Sequence, residues 1–341
     1  MQCLAPTRAV RGADPSIAAS NFYSASPRSA PLGRGSAASS SAPVAAQPLT
    51  AGPASHGPLP IHTAGGRDRR TVVTRIGRAL AEDFLRAGDR VVICSRSADR
   101  VARAVAELSE RFGADKVKGV AVDVAKPGQA RVLADFAAAE LGRVDIWINN
   151  AGTNAYRYGP MAESSDEELA QIVSTNVLGV MLCCKEAIRV MRAQSSHGHI
   201  FNMDGAGADG NPTPRFAAYG ATKRSLAQLG KSLSAELGIL GIRNVAIHNL
   251  SPGMVTTELL MAGANTPTAK FFINCLAEPA TDVAAFLVPR IRAVPQSSVN
   301  PLTGALSATY IRFLTQSKAL SQVASRLLTG ARKGRWVPED A

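Results

Sequence analysis

The sequence lacks several features that would assign it to a particular class of protein. No stretch of its 341 residues approaches the roughly 18 consecutive apolar residues that cross a bilayer, which predicts a soluble or surface-bound protein. Its five cysteines include no CxxC pair and its five histidines have no metal-ligand spacing, so neither a disulfide framework nor a metal site is expected. Hydrophobic residues still make up 46% of the chain, enough for a sizeable core.

Acidic residues are scarce at the start of the chain. Residues 1–66 hold four arginines and a single acid, Asp14, among many Ala, Ser, Pro and Gly residues without hydrophobic periodicity. Such a composition buries too little apolar surface to fold, and an Arg-rich, Ser-rich, acid-poor segment is typical of an organelle transit peptide. We therefore predict a disordered leader over 1–66, with a tail that has no targeting role as the alternative.

A second acid-poor segment, residues 283–338, contains eight basic residues and no acid. It carries nearly all of the excess positive charge outside the leader, whereas the whole chain has a net charge of +12. A concentrated basic face suits anionic lipid headgroups, and an ordinary solvated surface is the alternative. Nucleic acid is not an expected partner, because no aromatic interleaving or DNA-reading motif accompanies the charge.

Short apolar runs alternate with helical patterns from Arg70 onward. The predicted strands are 71–73, 90–94, 117–122, 144–149, 199–203 and 243–250, and the predicted helices are 76–87, 99–112, 128–141, 176–194 and 219–240. This alternation predicts an α/β fold, a Rossmann-type doubly wound parallel sheet with helices on both faces. A single domain over 67–338, with 283–338 as a basic C-terminal extension, accounts for every element.

Two chain breaks follow strands of the predicted sheet. Residues 149–152 read Asn-Asn-Ala-Gly after the fourth strand, and residues 251–257 read Ser-Pro-Gly-Met-Val-Thr-Thr after the sixth. Ligands bind outside the carboxyl ends of such strands, so both breaks are expected to face a cofactor, and the second would hold a nicotinamide carboxamide. The residues predicted there are Asn149, Ala151, Gly152, Pro252, Gly253, Val255 and Thr256.

Tyr219 and Lys223 are spaced for shared chemistry. Residues four apart on a helix lie on one face, where a lysine cation would lower the pKa of a phenol towards neutrality. Tyr219 would then protonate a carbonyl oxygen as a hydride arrives at the carbon. Asn176 precedes the next predicted helix, and it would either hold a water in a proton relay to Lys223 or only cap that helix.

Taken in this order, the Asn-Asn-Ala-Gly turn, Asn176, the Tyr-x-x-x-Lys pair and the Pro-Gly turn resemble the short-chain dehydrogenase/reductase superfamily over about residues 70–260. The resemblance implies hydride transfer from NAD(P)H without a metal. It implies Tyr219 as the catalytic acid/base, Lys223 as the residue that holds the ribose and tunes the tyrosine, and Asn176 as the relay.

The resemblance also implies the cofactor contacts on the other half of the sheet. Arg96 matches the position that binds the 2′-phosphate, so NADPH is the expected cofactor and NADH the alternative. Asp123 and Val124 match the adenine contact. Tyr219 and Lys223 themselves would touch the nicotinamide side of the cofactor.

The first turn of the sheet departs from the superfamily pattern. That pattern, T-G-x-x-x-G-I-G, wraps a pyrophosphate in backbone amides, but here Thr74 is followed by Arg75, Ile76 and Gly77, four residues short. Of the pattern, Ile76 and Gly77 remain as predicted cofactor contacts. A one-residue connection to a helix at Ile76 would be strained unless the first helical turn frays. A loop at residues 65–66 after a strand at 60–63 is the alternative.

Longer stretches of the sequence carry a narrower resemblance. Residues 154–158, 176–187, 202–207, 248–260 and 330–340 are similar to chlorophyll(ide) b reductases of the non-yellow-coloring-like type. This implies reduction of the C7 formyl group of chlorophyll(ide) b to hydroxymethyl, at the stromal face of the thylakoid membrane in the chloroplast. It also implies a membrane-bound reductase paralogue and a light-harvesting complex as partners, and a homo- or hetero-oligomer.

The exit of the fifth predicted strand departs from the superfamily as well. Residues 202–209 contain no serine to polarise the substrate carbonyl, and Asp204 lies there instead. A protonated Asp204 would donate to the carbonyl, or the residue would merely cap a turn. The two departures favour one alternative, a cofactor-deficient, non-catalytic partner of a membrane-bound reductase. A plastid reductase for another apolar carbonyl is a further alternative, because the same fold serves many substrates.

Overall fold

The computed structural model describes residues 68–74, 77–300, 302, 304 and 306–339. These residues form a seven-stranded sheet in the order β3-β2-β1-β4-β5-β6-β7, in which every neighbouring pair is parallel. The predicted Rossmann-type doubly wound fold is therefore confirmed. The predicted leader, the alternative loop at 65–66 and Ile76 lie outside the described residues.

The strands are β1 (Arg70–Val73), β2 (Arg90–Ser95), β3 (Val117–Ala121), β4 (Ile146–Asn149), β5 (Gly198–Met203), β6 (Val245–Ser251) and β7 (Tyr310–Arg312). The helices are α1 (Arg78–Arg86), α2 (Ala98–Phe112), α3 (Gln129–Leu141), α4 (Asp166–Val173), α5 (Gly179–Arg192), α6 (Ala217–Ile239), α7 (Glu258–Met261), α8 (Pro267–Leu276), α9 (Ala280–Ser297) and α10 (Gln316–Thr329). A π-helical turn, Ser174–Leu178, joins α4 to α5.

Side-chain alternation along the strands divides the core into two layers. Val72 and Trp147 belong to the cluster covered by α3, α5 and α6, whereas Val73 and Ile148 belong to the cluster covered by α1, α2 and α9. Successive residues of a strand point to opposite faces, so strands covered on both faces are apolar throughout. This explains why the central strands read as continuous Val, Ile and Trp.

The order of the strands reverses between β1 and β4. The chain runs outward from β1 through β2 to β3, then returns to β4 beside β1 and continues through β5 to β7. Ligands of doubly wound sheets bind in the crevice at such a reversal, outside the carboxyl ends of the strands. The fold therefore places Thr74, after β1, and Asn150, after β4, at the floor of the expected cofactor crevice.

The helical segment Asp166–Arg192 is long and apolar enough to cross a membrane by length and composition alone. Core helices of other folds pass the same test. In this fold Cys183, Cys184 and Met191 of α5 are buried against the sheet. We therefore assign the segment to the protein core.

Residues 283–338 contribute to the sheet and its cover. Their strand β7 pairs with β6, and Leu287 and Ile291 of α9 are buried in the layer that contains α1. Four of the eight basic residues form ion pairs with acids outside the segment. These pairs are Arg292 with Asp89, Arg326 with Glu339, and both Arg332 and Arg335 with Glu278. Three carboxylates thus offset part of the positive charge of the predicted basic face.

Candidate active site

Thr74 connects the ends of β1 and β4. Its backbone N–H donates to the Ile148 carbonyl at 3.0 Å, and its buried hydroxyl accepts from the backbone N–H groups of Asn150 at 3.0 Å and Ala151 at 3.1 Å. Asn150 Nδ2 also donates to the Thr74 carbonyl at 3.3 Å, so four hydrogen bonds of Thr74 fix the end of β4 and the turn after it. This holds Ala151 and Gly152 beside the carboxyl end of β1.

The first helix begins two residues later than predicted, at Arg78 instead of Ile76. The connection from β1 then runs from Thr74 to Gly77, an ordinary length for a strand-to-helix turn. A Cβ at Gly77 would lie 3.0 Å from Asn150 Nδ2, so glycine allows α1 to approach the crevice floor closely. No side chain caps α1 and its first turn has no acid, which favours an anion at its amide groups.

Asn176 is fully buried within the π-helical turn and not at the start of a helix, so the predicted helix cap is wrong. Its Oδ1 accepts from the Thr153 N–H at 2.8 Å, while Nδ2 donates to the Thr153 carbonyl at 2.8 Å and to Thr222 Oγ1 at 3.0 Å. The extra residue of a π turn, a feature frequent at functional sites, brings Asn176 to this position. Asn176 thereby links the loop after β4 to helix α6.

Lys223 and Asn176 meet beside Gly152. A Cβ at Gly152 would lie 3.4 Å from Lys223 Nζ and 3.6 Å from Asn176 Oδ1, so any larger residue would fill the space between them. Nζ donates to the Met203 carbonyl, at the end of β5, at 2.9 Å. Burial lowers the pKa of Lys223 to about 8, against the opposing charge of Asp204.

Tyr219 lies on the same face of α6 as Lys223, with Nζ 5.6 Å from the centre of its ring. Its hydroxyl rests against the backbone of Gly205, where a Cβ would overlap it. Burial, and then the charge of Asp204, raises the pKa of Tyr219 above its usual range. The predicted lowering of this pKa towards neutrality is not seen in this structure, because burial of the phenol and the charge of Asp204 both raise it.

Asp204 has a partner that the sequence does not indicate. The hydroxyl of Tyr310, on β7, donates to Asp204 Oδ2, and the other carboxylate oxygen, Oδ1, is buried without a hydrogen-bond partner among the described residues. Burial raises the pKa of Asp204, which favours the neutral form. The side chain makes no hydrogen bond typical of a turn cap. Tyr310 was missed because β7 is only three residues long.

The side chain of Asn149 faces the core, which corrects the prediction that it lines the crevice. Trp147 Nε1 donates to its Oδ1 at 2.8 Å, and its Nδ2 donates to Asn202 Oδ1 at 2.9 Å. All three residues are buried. Asn149 therefore stabilises the pairing of β4 and β5, since buried amides need such partners.

The remaining predicted cofactor residues follow the ends of β2, β3 and β6. Arg96 is exposed after β2, and Asp123 Oδ1 accepts from the Ala125 N–H at 3.1 Å in a turn after β3. Val124 is buried, and its carbonyl lies beside Gly179 at the start of α5. These residues lie on the β2–β3 side of the crevice, whereas Tyr219 and Lys223 lie on the β5–β6 side.

The loop after β6 is fixed by backbone contacts with Glu278. Gly253 has a left-handed φ of 70°, Val255 forms a parallel bridge to Glu278, and the Thr256 N–H donates to the Glu278 carbonyl at 3.0 Å. Pro252 precedes this turn at the end of β6. The carboxylate of Glu278 also pairs with Arg332 and Arg335, so the C-terminal segment helps to fix the loop.

Residues 73–267 match the protein family described as short chain dehydrogenase. The chain therefore belongs to the short-chain dehydrogenase/reductase family and is an oxidoreductase by class. A family member from Burkholderia phymatum, solved in complex with NAD, superposes with a TM-score of 0.61 at 25% identity. The match covers 76% of this chain and 93% of that structure.

Within the family, the similar proteins include two plant reductases. Chlorophyll(ide) b reductase NOL, chloroplastic, from Oryza sativa subsp. japonica is 57% identical over 265 residues, which cover 78% of this chain and 76% of the relative. The protein of the same name from Arabidopsis thaliana is 58% identical over 265 residues, which cover 78% of this chain and 74% of that relative. The predicted resemblance to reductases of this type is confirmed.

Proposed function

We propose that this chain is a nicotinamide-dependent chlorophyll(ide) b reductase, which reduces the C7 formyl group of the pigment to hydroxymethyl. The observation that carries the proposal is that Lys223 and Asn176 meet beside Gly152 at the carboxyl edge of the sheet, with Lys223 Nζ 5.6 Å from the centre of the Tyr219 ring. The identity to the two plant reductases supports the choice of substrate over that of another apolar carbonyl.

The residues present fit a nicotinamide cofactor. Gly152 leaves open the space beside Lys223 Nζ that a side chain would fill, and the uncapped start of α1 offers amide groups to a pyrophosphate. Arg96, exposed after β2, would hold a 2′-phosphate, so NADPH is proposed over NADH. When bound, the cofactor supplies the hydride that is added to the formyl carbon.

Tyr219 gives its phenolic proton to the formyl oxygen, so that hydride and proton together convert the aldehyde to an alcohol. Its raised pKa keeps the phenol protonated before the reaction. The Lys223 ammonium then stabilises the phenolate that forms, because an adjacent cation favours the charged state. Asn176 keeps one acceptor site on Oδ1 for a water that returns the proton.

A chromatographic assay of the full chain with NADPH and chlorophyllide b tests the proposal, with the 7-hydroxymethyl pigment as the expected product. Tyr219→Phe, which keeps the ring but removes the proton donor, should lower kcat by about 100-fold or more. A variant with four residues of the family pattern inserted after Thr74 runs beside it. Product from the insertion variant alone would favour the second candidate, a cofactor-deficient partner of a membrane-bound reductase.

The second candidate has its own supporting observations. The turn after β1 is four residues shorter than the family pattern, and Asp204 replaces the usual serine. A membrane-bound reductase paralogue and a light-harvesting complex are the proposed partners in either case, in a homo- or hetero-oligomer. Co-purification of this chain with the paralogue, unaffected by Tyr219→Phe, would support a docking role alongside or in place of catalysis.

We also propose the stromal face of the thylakoid membrane in the chloroplast as the location. Helix α10 presents Leu320, Ala324, Leu327 and Leu328 on one exposed stripe, with the three leucines 71–84% exposed. Such a stripe suits the boundary between headgroups and acyl chains. Leu320→Ser combined with Leu327→Ser should reduce flotation with vesicles of anionic plastid lipids, whereas Val132→Ser, on α3, should leave flotation unchanged.

A further inference from the structure

The end of the chain, residues 330–339, folds back onto the protein after helix α10, and we call this segment the tail. Its Val337 is buried and its Trp336 is half-buried. Both side chains belong to a small apolar cluster whose other members lie between the loop after β6 and the end of α8: Met254, Leu260, Met261, Ala264, Ile273 and Ala277. The tail therefore packs against the part of the chain that follows β6.

Asn274, on α8, holds the tail with every hydrogen-bonding group of its side chain. Its Oδ1 accepts from the backbone N–H groups of Trp336 at 2.7 Å and Val337 at 3.0 Å. Its Nδ2 donates to the Val337 carbonyl at 2.8 Å and to Glu339 Oε1 at 2.7 Å. An asparagine side chain has two donors and two acceptor sites, so the tail alone satisfies this fully buried amide.

Three tail side chains converge on the two residues that follow α8. Trp336 Nε1 donates to the Ala277 carbonyl at 2.9 Å, and Arg332 donates to the same carbonyl at 3.2 Å. Arg332 and Arg335 also pair with the Glu278 carboxylate, at 2.6 and 3.0 Å. Because Ala277 and Glu278 are both buried, these contacts fix a stretch of backbone that has no solvent to relax into.

The backbone of Glu278 is in turn paired with the loop after β6. Its N–H donates to the Met254 carbonyl and its carbonyl accepts from the Thr256 N–H, both at 3.0 Å, on either side of Val255. This is the bonding pattern of neighbouring parallel strands. Since Val255 and Thr256 are proposed contacts of the nicotinamide, one pair of residues connects the tail to the cofactor site.

The loop after β6 depends on such support because it has little regular structure of its own. Residues 252–256 are half-buried and lie between the end of β6 and the start of α7. A loop that is already ordered before its ligand arrives spares the binding step the entropy of ordering it. The contacts of the tail therefore bear on how tightly this loop can hold a ligand.

We propose that Trp336 and Asn274 are positioning residues, through which the tail holds the loop after β6 ready for the nicotinamide half of the cofactor. The proposal rests on the proposed function, because it takes this loop to hold the nicotinamide carboxamide. The other half of the cofactor would lie near Arg96, on the β2–β3 side of the crevice. The tail should therefore affect only one half of the cofactor.

Calorimetric titrations with NADPH and with 2′-phospho-ADP-ribose, which is the cofactor without its nicotinamide, test the proposal. Trp336→Ala should raise the Kd of NADPH by about tenfold and leave that of the analogue within about twofold. Trp336→Phe keeps a ring in the cluster but loses the donor to Ala277, so its effect should be smaller. Asn274→Asp keeps the size of the side chain but turns an oxygen towards the Val337 carbonyl, and it should act like Trp336→Ala.

Lys333→Gln, at an exposed position of the same tail, controls for charge and should leave the binding of both ligands unchanged. Thermal unfolding of each variant confirms that the fold is kept. An equal loss for NADPH and the analogue, or no loss for either, overturns the positioning role. A wild-type protein that binds neither ligand would overturn both this role and the proposed function.

Pigment reduction measured on the same samples separates the two proposals. Weaker binding of NADPH alone in Trp336→Ala, in a protein whose wild-type form reduces no pigment, would uphold the positioning role while the proposed reductase activity fails. An active wild-type enzyme whose Trp336→Ala and Asn274→Asp variants bind NADPH unchanged would overturn the positioning role alone.

Discussion

At the scale of single residues, the site holds three ionisable groups close enough to influence one another. Burial raises the pKa values of Asp204 and Tyr219 and lowers that of Lys223 to about 8, so each is shifted towards its neutral form. The negative charge of Asp204 opposes the shift of Lys223 and adds to that of Tyr219. The charge of Asp204 therefore acts on the protonation of both Tyr219 and Lys223, in each case as a smaller effect than burial.

The pH dependence of catalysis should report Lys223. Because the residue acts as a cation and its pKa is about 8, kcat should fall as the pH rises through about 8, tenfold per pH unit thereafter. Asp204→Asn removes the charge that supports the cation, so the fall should begin at lower pH. Steady-state rates between pH 6 and 10 check this, and a profile that stays flat to pH 9.5 in the wild-type protein would contradict it.

Gly205→Ala should separate position from chemistry at Tyr219. The added Cβ would overlap the phenolic hydroxyl and displace it, while the catalytic residues stay intact, so kcat should fall by about 100-fold. Gly238→Ala, within α6, meets nothing within 4 Å and should stabilise the helix by about 0.5–1 kcal/mol without changing kcat. Equal activities for the two variants would show that the hydroxyl has room to move.

At the scale of elements, local patterns decided what could be predicted. Strands β1 to β6 and the five long helices have enough apolar periodicity to be found, and their ends shift by at most three residues. Helices α4, α7 to α10 and strand β7 were not predicted. Strand β7 has three residues and no pattern of its own, because pairing with β6 alone makes it a strand.

The site was predictable where spacing implies geometry and not where it depends on distant contacts. Tyr219 and Lys223 share a face because helices repeat every 3.6 residues, which the sequence alone reveals. Asn176 was found, but the π turn that orients it leaves no mark in the sequence. The partners of Asp204 and Asn149, Tyr310 and Asn202, lie 106 and 53 residues away, beyond any local pattern.

Strand β7 should be held partly by the bond between Tyr310 and Asp204. Tyr310→Phe removes one of two hydroxyl donors from a buried carboxyl, the other being Ser251, which should lower the free energy of unfolding by about 1 kcal/mol in urea titrations. In the Asp204→Asn background, Tyr310→Phe should lower the free energy of unfolding by less, since a neutral amide loses less than a carboxyl when its hydrogen-bond donor is removed. Equal effects in both backgrounds would mean that the two side chains do not interact.

At the scale of the whole molecule, a buried histidine pair links three strands. His199 Nδ1 and His248 Nε2 are 3.0 Å apart, and His248 Nδ1 accepts from the Thr309 N–H just before β7 at 3.0 Å. Burial, followed for His199 by the charge of its neighbour, lowers the pKa of His199 to about 3 and that of His248 to about 4. Both rings are therefore neutral at physiological pH.

Acid should destabilise the fold through this pair. Below pH 6.5, the ordinary pKa of histidine, both residues take up protons in the unfolded chain but not in the folded one. Their contribution to the free energy of unfolding is therefore complete above pH 6.5 and declines as the pH falls towards 4. Each histidine contributes a slope of up to about 1.4 kcal/mol per pH unit. Urea titrations between pH 7 and pH 4 give the free energy of unfolding at each pH. Its decline with falling pH should be less steep in His199→Gln by about that amount. An unchanged slope would mean that the pair is charged in the folded state.

The π-helical turn Ser174–Leu178 costs the helix some of its regular hydrogen bonding but positions a residue of the site. Its additional residue disrupts the regular bonding of a helix that otherwise runs from Asp166 to Arg192, yet that residue turns Asn176 towards Thr153 and Lys223. Removing the half-exposed Leu178 would let α4 and α5 continue as one regular helix and would rotate Asn176 away. Selection for thermal stability alone should therefore favour variants that lack this turn. Selection for catalytic turnover should instead retain it.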